Sequence, residues 1–275
     1  MNKRVSRRAV LAGAGVLGLV GGALLLSSPR TRDPLQRAHA MGLAQGIVVG
    51  LGEPAAFFVP PYLPADAKIA GVEASAVQPA ALTPALDGIE GALSRYPGGF
   101  VGLLIKAIFV AGSIRIEGAA AGGTYGPAWI LLAAPVEIGA ASIELTCRIG
   151  VHHELSSFVY LRGQTVQRWL ASVPAAWAFA GSAVHQLAGD AAPAPPVETG
   201  FLNAYGATSP ENDFNVYAEK MMTEMGEVMR LAASVPLVAR KLALVRQAYV
   251  AIDPRMERAF IDLGMNASLL PPIAS

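Results

Sequence analysis

The chain has 275 residues, 53% of them hydrophobic and only 15% charged, against about 25% charged in ordinary soluble domains. That composition excludes an intrinsically disordered chain, which needs low hydrophobicity and high net charge, and a single cysteine, Cys147, excludes a disulfide framework. The formal net charge of +1 conceals a split: Lys3, Arg4, Arg7, Arg8, Arg30, Arg32 and Arg37 against Asp33 give residues 1–40 a charge of +6, so residues 41–275 carry −5. A folded part of that sign, without a basic patch interleaved with aromatics, argues against a nucleic-acid partner.

The four basic residues at positions 3–8 precede an uncharged run of Ala, Val, Leu and Gly from Ala9 to Leu26. A basic stretch followed by an apolar one is the layout of an export signal. The stretch Ser6-Arg7-Arg8-Ala9-Val10-Leu11 resembles the bacterial twin-arginine (Tat) signal. That resemblance implies the Tat machinery as a partner and the periplasm or cell envelope as the destination. Tat cargo crosses the membrane folded, often with a cofactor already in place. An Ala-x-Ala cleavage site stands at Ala38-His39-Ala40, far from Leu26. The alternative is an uncleaved anchor, touching the membrane only through residues 9–28. Gly13-Ala14-Gly15-Val16-Leu17-Gly18 matches the dinucleotide-binding pattern, but a basic cluster stands where a strand should precede it, and Pro29 blocks a second strand.

No later stretch reaches the roughly 18 uncharged apolar residues of a membrane-spanning helix, since Lys106 and Arg115 break the nearest one. Residues 41–80, rich in Gly, Pro and Ala, read as an irregular lead-in, and 81–275 as the folded domain. Thr83 as N-cap and Pro84 at the first helical position open a helix with a Leu86, Ile89, Leu93 stripe that stops at Pro97-Gly98-Gly99. Residues 107–110, 113–117 and 128–132 read as strands, with Gly118, Gly122 and Gly123 in a turn. One helix is expected from about 140 to 161 and another over 165–188, followed by the Pro-rich loop from Ala191. Residues 210 to about 264 read as helical, interrupted at Pro236 and Pro254. The order gives an α+β fold in which a small β-hairpin or mixed sheet precedes a mainly helical region.

The chemistry concentrates in Val151-His152-His153-Glu154-Leu155-Ser156-Ser157-Phe158. Two histidines four apart on a helix share a face and can hold a metal jointly, with the intervening Glu as general base. Here His153-Glu154 fits, and Ser157 stands where the second His would be. Read without a metal, His152 and His153 are ordinary half-buried helix residues. Downstream, Gly200-Phe201, Tyr205 and Pro210-Glu211-Asn212-Asp213-Phe214 form a second motif, with Asp213 sixty residues after His153. Ser209-Pro210-Glu211 is also a good helix start, which accounts for the acids through the macrodipole. Phe214, Ala218, Met221, Met225 and Val228 form a stripe that buries this helix, with Asp213 and Tyr217 at its edge.

Together the two motifs, over roughly residues 82–225, resemble gluzincin metallopeptidases of the anthrax lethal factor type and, more closely, bacterial zinc-binding metallopeptidases. The resemblance implies a zincin-like fold and a zinc cofactor. It makes His153 a zinc ligand, Glu154 the base that deprotonates a zinc-bound water, and Tyr205 a phenol for the oxyanion of a peptide or protein substrate. The acidic ligand falls on Asp213 or on Glu211. The departure is Ser157, whose neutral hydroxyl is a poor zinc ligand. His152 points about 100° away from His153 on a helix and joins only if the site is rebuilt, with Glu211 or His185. The alternative function is a non-catalytic pseudo-peptidase acting as an envelope binding or structural module. There is no G-x-S-x-G elbow or G-K-[ST] phosphate loop, and Cys147 reads as a small core residue.

Overall fold

A computed structural model describes residues 33–57, 71–175, 177, 179 and 195–272. The twin-arginine motif, the uncharged run after it and His185 lie outside the described residues.

The first helix, α1 (Pro34–Gln45), starts on a proline and ends at Gly46, whose left-handed conformation (φ 71°) stops the helix. It turns Arg37, Ala38, Met41 and Gln45 inward. Its partner is α2 (Pro79–Leu93), where Asp87 and Glu90 receive the Arg37 guanidinium at 2.7 and 2.6 Å. The boundary expected at residue 40 therefore falls inside a docked helix. The lead-in expected to be irregular over 41–80 contributes two strands, β1 (Val48–Gly50) and β2 (Val72–Ala74). Helix α2 also starts earlier than the Thr83-Pro84 signal. Pro79 takes the first position, and Pro84 lies inside the helix.

Five further strands follow: β3 (Ala107–Ala111), β4 (Ile114–Ile116), β5 (Ala119–Ala121), β6 (Gly123–Gly126) and β7 (Trp129–Ala133). They form two sheets. In the larger, of order β1-β3-β7-β6, β1, β3 and β7 run parallel and β6 pairs antiparallel to β7. The smaller is antiparallel, of order β2-β4-β5. All residues of β3 and β7 are buried, as uninterrupted apolar strands covered on both faces must be. The glycines at 122 and 123 do not close a single turn as expected: Gly122 separates β5 from β6, and Gly123 is the first residue of β6.

Helix α3 (Ala140–Tyr160) follows the sheet and packs against α2, β7 and β6. Next come α4 (Thr165–Leu170), α5 (Pro210–Thr223), α6 (Met225–Ser234), α7 (Pro236–Ile252) and α8 (Met256–Asp262). Of the helix expected over 165–188, the described part is α4, which ends at Leu170; residues 176, 178 and 180–188 lie outside the described residues. Helix α5 is capped as its sequence promises, the Ser209 side chain accepting from the Asn212 N–H. It breaks at Glu224, which the sequence did not signal. The fold is α+β, with the stripe Phe214, Ala218, Met221, Met225 and Val228 buried in a core shared by α2, α3 and α7. Cys147 belongs to that core, and burial lifts its thiol to about 12.

Candidate functional site

A cleft of about 440 Å³ opens where β6, the antiparallel edge of the larger sheet, passes α3 and α5. Residues four apart on a helix point the same way, so α3 presents His153 and Ser157 to the cleft while α5 presents Glu211, Asn215 and Glu219. Strand β6 adds Gly123 and Tyr125, and Tyr205 comes from the loop before α5. At Gly123 the backbone passes close to Glu154: a Cβ there would stand 2.8 Å from its Oε1, so a larger residue would have to displace that carboxylate.

The charged groups of the cleft act on one another. His153 Nδ1 stands 3.1 Å from Oε2 of Glu219. Burial pulls the imidazole pKa down, but the bond to Glu219 and the charges of Glu154, Glu219 and Glu211 outweigh it and raise it above the ordinary value. Burial lifts Glu154 to about 7, countered by His153 and reinforced by Glu211. The Tyr125 O–H donates to Oε1 of Glu211 at 2.7 Å. The Tyr205 ring lies 5.4 Å from the His153 ring, and burial, with the charges of Glu154, Glu211 and Glu219, raises its phenol to about 12. At neutral pH Tyr205 is therefore a neutral O–H donor at the rim of an acidic pocket.

At the position where the zincin pattern places its second histidine, two neutral side chains meet. Asn215 donates its amide to Ser157 Oγ at 2.9 Å, and its Oδ1 accepts from the Ser156 hydroxyl at 2.6 Å. Both polar ends of the Asn215 amide are thus occupied by α3, and the two helices are joined where ligands would otherwise converge.

Two residues expected at a metal site are elsewhere. His152 is 1% exposed and points into the core, hydrogen-bonded through Nδ1 to the Tyr96 hydroxyl at 2.7 Å. Burial, together with Arg95 and Arg148, drives its pKa down to about 3, so it stays neutral. Asp213, placed at the edge of the α5 stripe by its sequence position, is fully buried on the side of the helix away from Glu211. Its Oδ2 accepts from Lys241 Nζ at 2.6 Å and from the Trp169 indole N–H at 3.1 Å. Burial raises its carboxyl to about 7 against the pull of Lys241. His153 and Asp213 do not share the cleft.

A zinc site takes three His, Cys, Asp or Glu ligands converging on one point. The chemistry of the donor set fails that test. Of the expected ligands only His153 and Glu211 face the cleft, Ser157 and Asn215 are neutral and bonded to each other, and Asp213 is sealed against Lys241. Among the described residues no three such side chains are grouped to hold a metal ion.

Sequence reasoning located His153, Glu154, Tyr205 and Glu211 but missed Tyr125, Asn215 and Glu219. The last two had a signal, since they continue from Glu211 in steps of four on one helix face. Tyr125 had none, because β6 was not recognised as a strand. No family model, no curated protein and no solved structure matches the chain.

Proposed function

We propose that this is an exported, zincin-like protein that keeps the cleft of a metallopeptidase and uses it to hold an extended peptide without zinc-centred hydrolysis. The observation that carries this reading is the Asn215–Ser157 hydrogen bond, two neutral side chains occupying each other where metal ligands are needed. The rest of the cleft suits an extended chain. Among the described residues β6 pairs with β7 alone, and a sheet edge of this kind is where an extended chain adds as a further strand. Tyr205 offers a hydroxyl donor, and Glu154, Glu211 and Glu219 against one imidazole favour peptides carrying basic side chains. Export is supported by the twin-arginine motif and by the charge split between residues 1–40 and the remainder.

The test combines metal analysis with peptide binding, on full-length protein purified at neutral pH without chelator. The expected result is far less than one zinc per chain and saturable binding of a labelled Lys-rich peptide. Glu211→Gln with Glu219→Gln should weaken that binding by about tenfold, an expected cost of roughly 1.4 kcal/mol. The double variant Ser157→His, Asn215→Glu should acquire zinc, having regained two ligands. Stoichiometric zinc in the unmodified chain, lost in His153→Ala, would restore the metallopeptidase reading. In that case Glu211 would have to leave Tyr125, and His153 and Glu219 would have to separate, so that all three close on one ion.

A further inference from the structure

We infer that the segment before α1 is not removed at Ala38-His39-Ala40 but remains as a membrane tether, with the outer face of α1 lying against the bilayer. The inference rests on the reading of the chain as exported. The bond after Ala40 lies in the middle of α1 rather than in a linker. Proteases take their substrates extended, and nicking concentrates in exposed, loosely held segments. Around this bond Ala38 is 2% exposed within the main core, and Arg37 is held by both Asp87 and Glu90. One turn later, Gln45 accepts from the Val101 N–H and donates to the Leu93 carbonyl, each at 3.3 Å. Strand β1 then pairs in parallel with β3. Presenting the site would mean peeling α1 off α2. A cargo that crosses the membrane folded presents α1 already docked.

What remains in front of α1 fits a tether. The uncharged run from Ala9 to Leu26 has the length a bilayer span needs, while among the described residues no helix is long and apolar enough to cross a membrane. Residues 27–33 reach at most about 25 Å when fully extended, so α1 is held close to the membrane surface. Among the described residues the two most exposed large apolar side chains, Leu43 at 70% and Leu35 at 66%, both lie on the outer face of α1.

The experiment expresses the full chain in a bacterium with a functioning twin-arginine pathway. It reads the intact mass, the partition after an alkaline carbonate wash, and protease access in spheroplasts. The expected result is a chain that keeps its leader, stays with the membranes and is digested from outside. An exported chain that starts at Met41 or within residues 27–33, or that is washed into the soluble fraction, overturns the tether. A chain protected inside the cell, and unaffected by Arg7→Lys with Arg8→Lys, overturns the export reading instead. A Leu43→Cys variant labelled with a polarity-sensitive dye tests the contact itself. Full-length protein in phosphatidylglycerol-containing vesicles should give blue-shifted emission, and emission unchanged from water would overturn the docking of α1. Cys147 is fully buried and does not compete for the label.

Discussion

The two faces of α5 carry acids of the same chemistry in opposite circumstances. Toward the cleft, Glu211 and Glu219 meet a phenol and an imidazole beside open solvent. Toward the core, Asp213 meets Lys241, 0% exposed, whose ammonium also donates to the Gly200 carbonyl at 2.8 Å and sits 4.3 Å from the Phe201 ring. Among the described residues no hydrogen bond reaches Oδ1 of Asp213. Two residues along a helix separate a cleft-facing carboxylate from a buried, ion-paired one. The difference lies in the partner, since a cleft acid is free to exchange partners and a buried one is not.

That contrast can be broken most severely from the core side. Lys241→Met should destabilise the protein by about 3–5 kcal/mol, because it strands a buried carboxylate. Adding Asp213→Asn should recover most of the loss, and thermal unfolding of the single and double variants checks both outcomes. If Lys241→Met costs nothing, the two faces are not different in kind. Next in size is Tyr96→Phe, which removes the partner of His152 Nδ1 and should cost about 1–3 kcal/mol in urea unfolding. It should leave peptide binding unchanged, since His152 faces away from the cleft.

Smaller effects belong to the cleft. The Glu154 carboxyl is raised from 4.5 to about 7, so between those values the folded state holds a proton that the unfolded chain has released. The stability this contributes is complete below pH 4.5 and is lost as pH rises through 7. Glu154→Gln should flatten that decline and be more stable than the parent at pH 8 by on the order of 1 kcal/mol, allowing for water in the open cleft. Denaturant midpoints across the pH range decide it, and an unchanged slope would place Glu154 in solvent. Smallest in stability is Glu219→Gln. It should lower the His153 pKa, read from imidazole proton shifts in NMR, while barely moving the melting temperature.

Much of this arrangement was legible in the sequence where local pattern and tertiary role agree. The apolar runs of β3 and β7, the long α3 carrying His153-Glu154, the Ser209 cap and the Met-rich stripe of α5 are all where their spacing places them. The failures have physical causes. Strands β5 (Ala-Ala-Ala) and β6 (Gly-Thr-Tyr-Gly) lack the branched and aromatic alternation that marks strands, and exist because β4 and β7 pair with them. Helix α1 was hidden by a leader-like context, although its proline start and Gly46 stop are ordinary helix signals. Assigning the acid at residue 213 failed because two motif residues on one helix can face opposite ways. Only the position of Lys241, 28 residues on, decides which.

Lys241 has a mechanical consequence. It ties α7 to α5 through Asp213 and to the loop at Gly200, where the Tyr217 hydroxyl also donates at 2.8 Å. Sliding α5 by one turn, about 5.4 Å, would carry the carboxylate away from the Lys241 ammonium into an apolar surround, so the helix is pinned along its axis. The acidic wall of the cleft is therefore the stationary jaw. The opposite jaw is a sheet edge only four residues long, bracketed by Gly123 and Gly126.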